Sequence, residues 1–259
     1  MMKFTKAIAL AALAAGFIAT SAPAMAEEAA AEPDFSFSGN IAITNDYVFR
    51  GFTQTNEDFA VQGGFDLAHS SGFAIGAWAS NIEFLDETGG NSTSVELDLY
   101  ASFSGTFGNS IFGYNVGAIY YLYPGDPSGS DYAYWEFWAK VNADLGFATV
   151  GTGLVYSPDF FGGAGDMIHI PLDVAVPIPL GSETFGLTVS GQLGYNEYTN
   201  AGVTWDGFTD NYLNWNIGLT LSITDWFDVD VRYHDTDLDG AFCHKYCDER
   251  VTFMIKRSL

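Results

Sequence analysis

Between Phe35 and Gly51 the chain reads FSFSGNIAITNDYVFRG. Every second residue gives Phe35, Phe37, Gly39, Ile41, Ile43, Asn45, Tyr47 and Phe49, a row that is apolar and aromatic at both ends. The alternate row, Ser36, Ser38, Asn40, Ala42, Thr44, Asp46, Val48 and Arg50, is mostly small or polar. A period of two belongs to a β-strand whose faces meet different surroundings. Strands of water-soluble domains run about five or six residues, and this alternation runs about fifteen. No segment after residue 26 has the roughly 18 consecutive apolar residues of a spanning helix. If the chain crosses a membrane, it must do so with strands closed on themselves.

The first 26 residues have the form of an export signal. Lys3 and Lys6 make a positive start, AIALAALAAGFIA is an apolar core, and SAPAMA supplies the small residues Ala24 and Ala26 before a cleavage point. Residues 27–34 read as an acidic linker, and 35–259 as one barrel domain. Removal of Lys3 and Lys6 with the signal takes the formal net charge from −23 to −25. A field of that sign excludes nucleic acid as a natural partner. Aromatics at 16% and 29 glycines exclude a solvating acidic tail and fit a barrel with lipid outside and water inside.

From Phe35 onward one unit recurs: about ten alternating residues, a short turn, about ten more, then a longer polar loop. Outward rows can be written along the chain, among them Val95, Leu97, Leu99, Ala101 and Phe103, then Leu213, Trp215, Ile217, Leu219, Leu221 and Ile223. The pattern predicts an all-β, transmembrane, antiparallel up-and-down β-barrel of about 12 strands. Connections such as Ser70–Gly72 and Thr224–Trp226 are tight, and those between them are long, Gly-rich and acidic. This asymmetry predicts short periplasmic turns and long outer loops, with both termini periplasmic. Phe35, Phe73, Phe103, Phe147, Phe185 and Phe227 fall at the short-turn ends. Phe49, Phe59, Tyr120, Trp135, Tyr156, Tyr195 and Tyr233 fall at the long-loop ends, so two aromatic girdles are expected, with Tyr47 and Phe49 in the lipid belt.

ITNDYVFRGFTQTNEDFAVQGGFDLAHSSGFAIGAWASNIEF, from Ile43 to Phe84, carries three linked elements: Asp46-Tyr47 with Phe49-Arg50-Gly51 and Thr53-Gln54; Gln62-Gly63-Gly64 with Asp66; and Gly76, Trp78 and Ser80-Asn81. Together with YSPDFFG and the closing DERVTFMIKRSL, this set resembles the TorF family of porins, also described as the bacterial Gcw_chp domain of unknown function. The resemblance implies an outer-membrane location in a Gram-negative-type bacterium and a pore role, without a substrate.

The inward row is where function would sit. Its charged candidates are Asp46, Arg50, Asp66, Glu96, Asp98, Glu136, Lys140, Asp230 and Arg232, and they can line a passage or fill the interior as ion pairs. Carboxylates outnumber cations there, so a conducting barrel is expected to prefer cations. Arg50 reads either as an anion-binding group near the outer mouth or as the partner of Asp46. The expected partners are outer-membrane lipid, the barrel-assembly machinery at the C-terminal strand, and small solutes or ions, with no cofactor and no metal. Cys243 and Cys247 predict a disulfide in an outer loop; a metal site with His244 is the alternative. A plugged structural or adhesive barrel is the second reading of the chain. A barrel-borne hydrolase is the third; His234 with Asp230 is the single suggestive pair for it, and the chain is read as a non-enzyme.

Overall fold

The computed structural model describes residues 34–85, 91–126, 131–198, 211–224, 226–239 and 243–259. The expected export signal and all but Asp34 of the linker lie outside the described residues.

The chain forms strands β1 (Phe35–Thr44), β2 (Val48–Phe49), β3 (Phe52–Thr53), β4 (Ala60–His69), β5 (Phe73–Leu85), β6 (Asn91–Thr106) and β7 (Phe112–Leu122). Then follow β8 (Tyr134–Asp144), β9 (Thr149–Ser157), β10 (Met167–Ile178), β11 (Phe185–Tyr198), β12 (Asn211–Ile223), β13 (Phe227–Thr236) and β14 (Arg250–Ser258). Twelve of them, all but β2 and β3, close into one antiparallel barrel in chain order. β1 seals it by pairing with β4 on one side and with β14 on the other.

Burial is inverted relative to a water-soluble domain. Phe65 is 60% exposed on the outside, while Glu136 and Asp98 are 2% and 0% exposed within. The apolar rows expected from the sequence are the outer surface, and a continuous belt of that kind belongs in a medium without water. Phe35, Phe73, Phe103, Phe147 and Phe185 are exposed at the short-turn end; Phe59, Trp135, Tyr156 and Tyr233 are exposed at the other. Both girdles are therefore present.

The first strand is shorter than its alternation suggests. β1 stops at Thr44, and Asn45 closes the ladder against β14: its amide donates to Val251 O at 3.3 Å and its carbonyl oxygen accepts from Phe253 N. The chain then turns into the barrel. Tyr47 is 3% exposed and packs on Trp78, and Phe49 meets Tyr121, so neither belongs to the lipid belt. Aromatic alternation continued past Asn45, but those rings fill the lumen instead of facing lipid.

Candidate functional site

The inserted segment is a hairpin. Val48 pairs with Thr53 and Phe49 with Phe52 across the two-residue tip Arg50-Gly51. Both tip residues have positive φ, 49° and 91°, as a type I′ turn requires. Glycine takes that conformation freely, but for arginine it is strained. The strain is held by what Arg50 reaches. Its guanidinium donates to both carboxylate oxygens of Glu136 at 2.7 and 3.0 Å, and its carbonyl accepts from the Tyr212 hydroxyl at 3.2 Å. The Phe49 ring lies 4.6 Å from the same guanidinium. Burial works against the charge on Arg50, the adjacent Glu136 more than offsets it, and the net pKa shift is upward.

The hairpin stem is held separately. Asp46 accepts from Thr53 and Thr55 hydroxyls at 2.5 and 3.0 Å and from Arg250 Nη1 at 2.9 Å. The Tyr47 hydroxyl donates to Glu96 at 2.8 Å. Burial, then the fields of Glu96 and Asp98, push the Tyr47 phenol well up, which keeps it a donor. In the loop between β13 and β14, Lys245 lies 3.8 Å from Glu57, which follows the hairpin in the connection to β4. The β13–β14 loop is tied by the Cys243–Cys247 disulfide, with Cα atoms 5.8 Å apart.

On the short-turn side of the hairpin lies a cavity of about 270 Å³. Asp46, Arg50, Glu136, Lys140, Asp230 and Arg232 line it, together with amides and histidines. Arg232 is fixed by Asp230 at 3.1 Å, by Asn216 at 2.7 Å and by Ser190 at 2.8 Å. Glu96 and Asp98 also point inward but do not line the cavity, and Asp66 accepts from Tyr100 Oη at 2.6 Å. The pairing of Arg50 differs from expectation: its carboxylate is Glu136, and Asp46 pairs with Arg250. The turn after Thr44 separates Asp46 from Arg50 and sends each to a different wall. Sequence reasoning missed Arg250, although it shares the inward parity of Thr252, and it placed Tyr47 and Phe49 on the wrong side.

For the catalytic alternative, His234 Nε2 meets Thr252 Oγ1 at 3.0 Å, while Asp230 is engaged by Arg232 and Thr220. The suggestive His234–Asp230 pair is thus not a hydrogen-bonded dyad. Among the described residues no three of His, Cys, Asp or Glu converge as metal ligands.

A protein-family profile matches residues 28–259, and its description is Gcw_chp, bacterial protein of unknown function. The chain belongs to the Gcw_chp family. That description does not include the TorF designation, and no curated protein matches the sequence. The Gcw_chp barrel is similar to solved porins. One is the KdgM porin in complex with disordered oligogalacturonate, at TM-score 0.51 and 10% identity, covering 86% of this chain and 96% of that one. Another is the NanC porin, at TM-score 0.53 and 9% identity, covering 85% and 98%. At these identities the likeness concerns the fold of the Gcw_chp barrel alone.

Proposed function

We propose that the chain is a non-catalytic outer-membrane channel for small hydrophilic solutes in a Gram-negative-type bacterium. In this reading residues 1–26 direct export, 27–34 are a linker, and 35–259 are inserted by the barrel-assembly machinery. The observation that carries it is the charged and amide-lined cavity inside a closed barrel, narrowed by an inserted hairpin. A twelve-strand barrel is wider than the eight-strand kind that side chains fill, and the space left here is lined by charged and amide groups. The porin fold of KdgM and NanC supports the same reading. The acidic outer loops favour passage of cations over anions.

The hairpin also favours a second reading, a barrel closed at its mouth with a structural or adhesive role. Planar-bilayer recording and liposome swelling with the refolded mature protein separate the two. Stepwise conductance and uptake of small neutral solutes are expected for the channel. Silence in both measurements overturns it in favour of the closed barrel.

A further inference from the structure

The charges lining the cavity fall into two kinds. Arg50, Arg232 and Asp46 are each in a short ion pair with a named partner. Lys140 is not: among the described residues no carboxylate lies within ion-pair distance of its ammonium. Asp173, also on the cavity wall, has no ion pair among the described residues, and its Oδ1 accepts from Gln192 Nε2 at 2.7 Å.

These two charges stand on strands with only β9 between them. Lys140 on β8 faces Gly153 of β9, and Asp173 on β10 faces Gly151 of the same strand. Both glycines have the inward parity of Val155, so no side chain stands between the lysine and the aspartate. A Cβ on Gly153 would lie 2.7 Å from Lys140 Cγ, so the lysine stem crosses β9 toward β10. An ammonium and a carboxylate thus line one cavity from strands on either side of β9, two residue rows apart.

We infer that Lys140 and Asp173 form a binding site for small zwitterionic solutes, with Lys140 taking the solute's carboxylate and Asp173 its ammonium. The inference rests on the channel reading and names its substrate class. A simple anion could use only Lys140 and is repelled by the acidic mouth; a simple cation could use only Asp173. A net-neutral zwitterion meets no such repulsion and uses both groups, each through a charge-assisted hydrogen bond. Asp230 and Arg232, on β13 and beyond β11 and β12, are already joined and offer no such pair of ends.

The test uses glycine, β-alanine and γ-aminobutyrate, whose charges are progressively further apart, against acetate and methylamine. Binding to the full-length mature barrel in detergent is followed by saturation-transfer NMR, which does not depend on conduction. At least one zwitterion is expected to bind about tenfold more tightly than either singly charged probe. Lys140→Gln and Asp173→Asn should each weaken it by about tenfold, and the double swap Lys140→Asp with Asp173→Lys should restore much of the binding. A merely structural pair would not give that recovery. Zwitterions no tighter than acetate and methylamine, or binding unchanged in both single variants, overturn the inference. If the same protein still conducts in bilayers, that failure leaves the channel reading standing. Binding without conductance supports the site and removes the channel.

Discussion

Tyr100 explains why so many glycines line the inside of this barrel. Its ring lies over Gly76 of the next strand, where a Cβ would come within 2.4 Å of it, and its hydroxyl reaches Asp66 on the strand beyond. Trp138 lies over Gly117, Lys140 over Gly153 and Arg232 over Gly218 in the same way. An inward glycine lets a long side chain lie flat along the wall, and Tyr100 and Arg232 then bond two strands away, to Asp66 and Ser190. Gly76→Ala is therefore expected to cost about 1 to 3 kcal/mol through overpacking, and to break the Tyr100–Asp66 bond. Gly186→Ala is the control: its nearest neighbour would be Ser222 Cβ at 3.6 Å, an ordinary contact, so the change should stay within about 0.5 kcal/mol. Urea titration of the folded barrel in detergent measures both; equal effects would mean that the glycines do not make this room.

At the scale of elements, the β2–β3 hairpin is held at its tip by one buried ion pair. The Arg50 and Glu136 side chains are 9% and 3% exposed, so removing one partner leaves a charge with neither water nor a counterion. Arg50→Gln should destabilise the fold by about 3 to 5 kcal/mol, and the double variant with Glu136→Gln should cost clearly less. Freed from the wall, the hairpin should also give a larger and noisier unitary current. A double-mutant cycle with bilayer recording checks both, and additive losses would show that the two residues do not act together. The strands were legible in the sequence because lipid on one side and a polar lumen on the other enforce a period of two. The hairpin was not. Tyr47 and Phe49 keep the period while changing sides, and the only local cues were Asn45, whose amide ends the ladder, and Gly51 at the turn. Parity alone did not mark the cavity wall, since Asp66, Glu96 and Asp98 share the inward parity of Glu136 and do not line it. The ion-pair partners were not legible either, since Arg50 and Glu136 are 86 positions apart and Asp46 and Arg250 are 204.

For the molecule as a whole, the channel reading implies that pairing inside moves the control of ion selectivity outward. Glu136, Asp230 and Asp46 are each matched by an arginine, and the wall holds Lys140 as well as Asp173, so the charges on the cavity wall nearly cancel. The excess negative charge of the chain lies instead on exposed loop residues such as Asp58, Asp248 and Glu249. Exposed charges act through water, over about 10 Å at 0.1 M salt and about 3 Å at 1 M. Cation preference should therefore be clear in a dilute salt gradient and fade toward none as both chambers approach 1 M. Asp58→Asn, Asp248→Asn and Glu249→Gln together should reduce it at low salt, whereas Glu136→Gln should leave Arg50 unmatched and act in the same direction even at high salt. Reversal potentials across a gradient of fixed ratio and rising mean concentration distinguish these contributions. A preference that persists unchanged at 1 M would place the filter inside the lumen, and anion preference at low salt would show that the acidic loops do not govern entry.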